Sequence, residues 1–285
     1  MVDRRTLVSA AGVAALLGPM VAPVSAQAPA ATPAPVASNL NQIRSSGMLR
    51  LAVIPNQEPH FRKDLATGQW SGAALTMAGD IARILGVKVV PVETTWTNAI
   101  LDLQANKVDL AFGLNPTAER ALAVDFSVPL YKNSYVLICR RGAPKPATWE
   151  DLNKPDAKVG VVIGTTYETL AKRYLPKAAV TAYRSRDESL MSVATGHVAY
   201  AVDGAILAIR SIKANPAVGV IAVPQPVIGL ASCAAMRIDT DKRLRDVMGI
   251  WADYNRAVGQ TREWLVQAFA AAGVQPDEVP REIEF

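Results

Sequence analysis

Short apolar runs alternate along the chain with segments whose apolar residues recur at helical spacing. The apolar runs lie at 48–54, 87–92, 108–112, 134–139, 158–163 and 198–202. The segments with helical spacing lie at 39–46, 73–85, 96–103, 185–195, 241–258 and 261–272. Runs of the first kind predict buried strands, and segments of the second kind predict amphipathic helices. The alternation predicts an α/β fold with mainly parallel sheets, in which ligands collect at the carboxyl ends of strands.

The first 26 residues have the pattern of an export signal. Arg4 and Arg5 precede an apolar run over 7–21, and the small residues at 24–26 are typical of a cleavage site. Paired arginines are typical of twin-arginine export, but the flanking residues leave ordinary secretory export open. A buried N-terminal helix is the alternative interpretation. We predict a signal peptide at 1–26, an Ala/Pro-rich linker at 27–38 and a periplasmic protein.

Composition and charge narrow the range of partners. Half of the residues are hydrophobic, which suffices for a sizeable core, and the net charge of +5 comes from scattered basic residues. No nucleic-acid partner is predicted from such a distribution. Cys139 and Cys233 each lie in a strand-like run, so a disulfide and a pair of buried thiols both stay open. His60 and His197 share no metal-ligand spacing with these cysteines, and we predict neither a metal nor a cofactor.

The stretch from Asn106 to Tyr131 carries the main candidate chemistry. Its apolar run ends at Gly113, and Thr117 has the place of an N-cap before a short helix that contains Arg120. Free backbone N–H groups beside a guanidinium suit a carboxylate ligand. The alternative is a surface Arg120 that pairs with Glu119.

Two further positions follow predicted strands in the same way. Gly164, Thr165 and Thr166 lie between a strand and a helix, which favours either an anion site or a plain helix cap. Asp203 follows the strand at 198–202 and is predicted to cap the next helix, a contribution of about 1 kcal/mol.

The stretch from Gly113 to Arg120, followed by Asp125-Phe126-Ser127, Pro129 and Tyr131, resembles a family motif. The motif is G-M-T-x-T-P-E-R and then D-F-S-x-P-Y, from the polar amino-acid family of periplasmic solute-binding proteins (bacterial extracellular solute-binding family 3). The resemblance covers nearly all of 47–273. It implies a two-lobed, type II periplasmic binding protein fold with a two-segment hinge. Lobe 1 would comprise 39–130 and 234–285, and lobe 2 would comprise 131–233.

The same resemblance implies a function and a set of ligand contacts. The protein would be a monomer that captures a small amino acid or related carboxylate between two closing lobes and delivers it to the membrane permease of an ABC transporter. The implied contacts of the α-carboxylate are Gly113, Asn115, Arg120, Thr165 and Thr166. Asp203 would hold the α-ammonium.

The segment before the helix at 73–85 departs from the family pattern. The family commonly has an aromatic residue after the glycine that corresponds to Gly72, and that residue lines the pocket; here Ala73 follows. Trp70 or Phe61 could replace this aromatic residue. The alternative for Trp70 is that it only packs on a loop. The spacing of Trp96 favours a position in the core. An acidic or small polar amino acid is our hypothesis for the ligand.

Two other functions stay open at this point. The family is similar to certain cyclohexadienyl dehydratases, which bind a carboxylate in the same scaffold, add an acid in the cleft and act on prephenate or arogenate. Glu58 and His60 lie where such an acid could reach the ligand, but no nucleophile–base pair or metal set is visible, which favours a protein that is not an enzyme. A ligand sensor without a transport role is the third hypothesis.

Overall fold

A computed structural model describes residues 38–278 of the chain. The predicted signal peptide and residues 27–37 of the predicted linker lie outside the described residues. Ser38, the last residue of that linker, belongs to the folded body. Its Oγ accepts a hydrogen bond from the backbone N–H of Asn41 at 3.4 Å and thereby caps the first helix.

Helices and strands alternate through most of the described chain. The α-helices are α1 (Asn39–Ser46), α2 (Ala73–Leu85), α3 (Ala99–Gln104), α4 (Ala118–Ala121), α5 (Thr166–Tyr174), α6 (Arg186–Ala194), α7 (Ala205–Ala214), α8 (Arg243–Ala257) and α9 (Gln260–Ala271). Short 3-10 helices lie at Glu150–Leu152, Pro216–Val218 and Pro276–Glu278. The strands are β1 (Met48–Val53), β2 (Arg62–Lys63), β3 (Trp70–Ser71), β4 (Lys88–Glu93), β5 (Ala111–Leu114), β6 (Val124–Phe126), β7 (Tyr131–Cys139), β8 (Lys158–Val162), β9 (Ala179–Tyr183), β10 (Tyr200–Gly204), β11 (Val220–Ala222) and β12 (Gly229–Arg237).

Helix boundaries agree with the sequence pattern at some ends and differ at others. The bounds of α1 and α2 are those predicted, whereas α3 begins at Ala99, three residues after Trp96. The predicted capping role of Asp203 is wrong. Gly204 is the N-cap of α7, and Asp203 stays within β10, where its carboxylate is engaged elsewhere.

The sheets are mixed rather than mainly parallel. Parallel pairing joins β1 to β4, and β8 to both β9 and β10. By contrast, β7 and β12 run antiparallel to every strand that they pair with in the described chain. The longest path of paired strands has the order β5-β12-β7-β10-β8-β9.

The strands β7 and β12 both change partners halfway along their length. The first half of β12, Gly229–Ser232, pairs with β7, while Cys233–Arg237 pairs with β5 and β6. Likewise β7 pairs with β12 through Tyr131–Ser134 and with β10 through Tyr135–Cys139. The strands β7 and β12 therefore connect two groups of strands. One group is β5 and β6, which pair with β12, and the other is β10 and β11, which pair with β7.

Both cysteines are free thiols inside the protein, so the disulfide alternative is wrong. Cys139 is 0% exposed in β7 and Cys233 is 1% exposed in β12. Burial raises the pKa of Cys139 to about 12 and that of Cys233 to about 11, because the thiolate would lose its hydration. Both side chains act as small apolar core residues. No helix within residues 38–278 has the length and apolarity needed to cross a bilayer.

Candidate functional site

Arg120 is a half-buried cation that has no acidic partner within the described residues. Its Nη1 donates to the backbone oxygen of Asn115 at 2.9 Å, and its Nη2 donates to the backbone oxygen of Gly164 at 3.1 Å. Burial lowers the pKa of Arg120, although the group stays charged at neutral pH. The carboxylate of Glu119 is engaged instead by Thr117 and by its own backbone N–H, so the alternative, in which Arg120 pairs with Glu119, is wrong. A desolvated guanidinium bonded to two carbonyl oxygens is suited to an anionic ligand.

The loop before Arg120 has a shape that its sequence explains. Thr117 caps α4 as predicted, since its Oγ1 accepts a hydrogen bond from the backbone N–H of Arg120 at 3.2 Å. Gly113 has a φ of +88°, which a residue with a side chain rarely adopts, and a Cβ there would lie 3.0 Å from the Trp96 ring. Glycine therefore permits both the turn and the close approach of Trp96.

Asn115, Tyr135 and Thr166 form a buried polar network beside Arg120. Asn115 donates from Nδ2 to the backbone oxygen of Ala231 at 2.8 Å, which leaves Oδ1 as an acceptor. This Oδ1 accepts from Thr166 Oγ1 at 2.9 Å and lies 3.2 Å from the Tyr135 hydroxyl. Tyr135 and Thr166 are also hydrogen-bonded to each other. We call Arg120, Asn115, Tyr135, Gly164 and Thr166 the arginine site.

Two of the predicted donors have local roles in this arrangement. Thr165 Oγ1 donates to the backbone oxygen of Val162 at 2.7 Å, so this side chain closes the turn before α5. Thr166 begins α5, because Thr165 has the extended backbone of an N-cap residue. Tyr135 was missed by the sequence analysis. Burial raises its pKa to about 12, so it stays a neutral hydroxyl.

Asp203 lies within a buried ion pair that the sequence analysis did not anticipate. Its Oδ2 accepts from Nε of Arg186 at 2.9 Å and from Nη2 of Arg186 at 2.5 Å. The two side chains are 3% and 6% exposed, respectively. Tyr167 connects this pair to the arginine site, because its ring contacts the Tyr135 ring edge-on at 5.1 Å. Burial, and then the charge of Asp203, raise the pKa of Tyr167 well above its ordinary value.

Arg186 of this ion pair borders a cavity of about 140 Å³. Its lining residues are 54–57, 94–97, 162 and 184–187. Trp96 belongs to this lining, and its Nε1 donates to Gln57 Oε1 at 3.2 Å. Trp96 also packs against two hydrophobic clusters of the core, so the predicted core position is confirmed. The indole precedes α3 instead of packing within that helix.

Trp70 and Phe61, which the sequence suggests as replacements for the missing aromatic residue of the pocket, make their contacts in other parts of the protein. Trp70 is in β3, where Lys63 Nζ lies 5.4 Å from its ring centroid, and it borders a shallow surface depression beside Pro91. Phe61 is 1% exposed and packs against Trp96 with ring centroids 6.3 Å apart. Their ring contacts are with His60, Trp96 and Lys63, none of which belongs to the arginine site. The role of Trp70 or Phe61 as a replacement for the missing aromatic wall stays a prediction.

Glu58 and His60 are engaged with residues outside the arginine site. Glu58 forms an ion pair with Arg210 at 2.5 Å and lines a separate cavity with Trp264. His60 is 5% exposed and stacks on Tyr131 with ring centroids 5.7 Å apart. Burial lowers the pKa of His60 to about 4, so the ring is neutral at pH 7. The carboxylate of Glu58 is thus already paired with a cation, and its role as a ligand contact stays a prediction.

The sequence of this protein is similar to those of known proteins. The sequence profile of the bacterial extracellular solute-binding proteins, family 3, matches residues 49–272. Cyclohexadienyl dehydratase of Pseudomonas aeruginosa is 28% identical over 192 residues, which cover 66% of this chain and 71% of the relative.

Solved structures show the same fold. An ancestral amino acid-binding protein, a precursor of cyclohexadienyl dehydratase, is 30% identical with a TM-score of 0.71, and the match covers 82% of this chain and 99% of the relative. A substrate-binding protein of an amino acid ABC transporter from Streptococcus pneumoniae, bound to L-arginine, is 25% identical with a TM-score of 0.73 and covers 81% of this chain and 98% of the relative. These matches confirm the two-lobed α/β fold of type II amino acid-binding proteins. The chain belongs to the bacterial extracellular solute-binding proteins, family 3.

Proposed function

We propose that this protein is the substrate-binding component of an ABC importer and that it captures a small amino acid or a related carboxylate between two lobes. The observation that carries the proposal is the half-buried guanidinium of Arg120, which meets only carbonyl oxygens within residues 38–278. A carboxylate ligand would neutralise this charge through a two-pronged, charge-assisted contact. Asn115, Gly113, Thr165 and Thr166 shape the surroundings of that contact.

The partner exchange in β7 and β12 supports the proposed division into lobes. Lobe 1 comprises 39–130 and 234–285, and lobe 2 comprises 131–233, so that β7 and β12 form the hinge. On this division the hydrogen bond from Arg120 to Gly164 joins the two lobes. An anion bound at Arg120 also faces the N-terminal end of α5, which carries positive partial charge. The ligand therefore favours the closed arrangement, and closure is a shift in population.

Delivery requires export and a membrane partner. We propose that residues 1–26 direct the chain to the periplasm and are removed there, by the twin-arginine or the ordinary secretory route. A monomer in the closed form would then dock on the permease of the transporter. This proposal extends the extracellular character of the family to this chain.

Titration calorimetry on the exported protein tests the proposal directly. A panel of amino acids, 2-oxo acids and 2-hydroxy acids should contain a ligand whose affinity Arg120→Met lowers by about 2–5 kcal/mol, or roughly 30- to 5,000-fold. Arg120→Lys keeps the charge but loses the planar fork, so an intermediate loss is expected. Arg62→Met, which changes a 58% exposed side chain, is the matched control and should bind normally. Unaltered affinity in Arg120→Met would refute the carboxylate assignment.

A dehydratase is the second candidate, and the likeness to the Pseudomonas enzyme favours it. Against it stand the paired carboxylate of Glu58 and the neutral, buried ring of His60. We expect purified protein to leave prephenate and arogenate unchanged under conditions in which it binds its ligand. Product formation that disappears in Arg120→Met would establish the enzyme instead.

A further inference from the structure

The buried carboxylate of Asp203 is already neutralised by the protein itself. Oδ2 accepts two hydrogen bonds from Arg186, and Oδ1 accepts one from the backbone N–H of Gly204 at 2.9 Å. Arg186 starts α6 directly after its cap residue Ser185, so its position is fixed by the helix. The acidic group that the family resemblance would assign to an α-ammonium therefore has a cation of its own.

This ion pair lies beside the arginine site. A Cβ at Gly204 would lie 2.7 Å from the Tyr167 hydroxyl, so Tyr167 covers the backbone next to Asp203. The Tyr167 ring in turn contacts Tyr135, whose hydroxyl belongs to the arginine site. Arg186 also lines the cavity of about 140 Å³, together with Trp96. A Cβ at Gly164 of the arginine site would lie 3.9 Å from Thr97, which also lines the cavity, so the cavity and the arginine site are neighbours.

The charges around the cavity favour an anion over a zwitterion. The charged residues of the arginine site and the cavity lining are Arg120, Arg184, Arg186 and Asp187, to which the buried partner of Arg186, Asp203, is added. With three cations and two anions, they carry a net charge of +1, which one carboxylate cancels. A zwitterion would leave that charge in place and add an ammonium beside a guanidinium. Desolvated like charges are costly, and a ligand can take Asp203 only by leaving Arg186 buried without a counter-ion.

Asp187 does not offer an equivalent acceptor. Its carboxylate is exposed at the cavity edge and accepts a hydrogen bond from Asn56 Nδ2 at 3.0 Å. An ammonium there would keep water around it and gain little from the contact. Asp187 nevertheless provides the natural control, because it is the second carboxylate of this cavity lining.

We propose that the site selects carboxylic acids without a charged α-amino group, such as 2-oxo and 2-hydroxy acids, over the amino acids of the same carbon skeleton. The inference rests on the proposed function and names its ligand class. Arg186 takes the place of the ligand's ammonium as the counter-ion of Asp203. The oxygen at C2 of such an acid can accept a hydrogen bond where an ammonium could only donate.

Matched ligand pairs test the inference on the unaltered protein. Calorimetry should compare L-alanine with pyruvate and L-lactate, L-glutamate with 2-oxoglutarate, and L-phenylalanine with phenylpyruvate. We expect at least tenfold tighter binding of an oxo or hydroxy acid in one series and no series in which the amino acid binds more tightly. Tighter binding of an amino acid would overturn the inference and leave the proposed function intact. Failure of both classes to bind would overturn the proposed function and the inference with it.

Variants that each remove one charge at the cavity provide a second test. Arg186→Gln keeps donors near Asp203 but removes the cation, so the affinity ratio of amino acid to oxo acid should rise at least tenfold. Asp187→Asn should leave that ratio unchanged. A ratio that moves in Asp187→Asn and not in Arg186→Gln would identify Asp187 as the ammonium partner and refute the inference. Circular dichroism and urea unfolding establish whether each variant is folded. If Arg186→Gln does not fold, the affinity ratio of amino acid to oxo acid in the wild-type protein decides whether the inference holds.

Discussion

The energetic weight of the ion pair between Arg186 and Asp203 can be measured independently of any ligand. Arg186→Met removes the cation and leaves a carboxylate whose side chain is 3% exposed. The loss of one partner of a buried pair costs about 3–5 kcal/mol, because the remaining charge stays desolvated. For a chain of this size each kcal/mol lowers Tm by about 2–4 °C, so we expect a decrease of about 6–20 °C.

The assay is urea unfolding followed by circular dichroism, with two comparison variants. Arg243→Met removes an ion pair with Asp241 whose N–O distance is 2.7 Å but whose arginine is 60% exposed, and it should leave the urea midpoint nearly unchanged. The double variant Arg186→Met, Asp203→Leu removes both buried charges and should recover most of the lost stability. The reasoning fails if Arg186→Met is as stable as the wild type, or if the double variant is no more stable than Arg186→Met alone.

Three further predictions concern groups inside the protein. The pKa of His60 is lowered from 6.5 to about 4, so between these values the unfolded chain binds a proton at this residue and the folded chain does not. The free energy of unfolding should therefore fall by about 2–3 kcal/mol as the pH drops from 7.5 to about 4.5. Urea unfolding across this range should show a smaller loss in His60→Gln, and equal losses would contradict the assignment. Cys139 and Cys233 should resist iodoacetamide in the native protein and both react in urea, as judged by intact mass, because burial keeps each thiol protonated. Tyr135→Phe removes a hydroxyl that contacts Asn115 and should cost about 1–2 kcal/mol in urea unfolding, with Tyr254→Phe, an exposed tyrosine, as the control.

Local sequence signals were sufficient where an element carries its own boundaries. Ser38 caps α1, and Gly47 and Gly86 end α1 and α2 in the left-handed conformation, so both helices were predictable from neighbouring residues. The same holds for Arg120, because its cap Thr117 lies three residues away. The part of the site formed by one short stretch could thus be predicted from that stretch.

The remainder of the site depends on tertiary contacts. Arg186 and Asp203 are 17 residues apart and meet because β9, which precedes α6, and β10 both pair with β8. The strand β9 is largely exposed although most of its residues are apolar, and the sequence analysis did not predict it. Trp96 shows how spacing misleads: Trp96, Ile100 and Leu103 have helical spacing, yet the helix begins only at Ala99. Tyr135 lies in a run of buried residues with no alternation that would indicate which face it uses.

The two inert thiols make the chain a convenient host for spectroscopic probes. A cysteine introduced on the surface would be the sole position that a maleimide reagent modifies in the folded protein, with no native residue to replace first. Thr97 and Arg184 are both exposed and border the same cavity from segments assigned to different lobes. Spin labels at these two positions would report the lobe separation by pulsed electron resonance, with and without each organic acid.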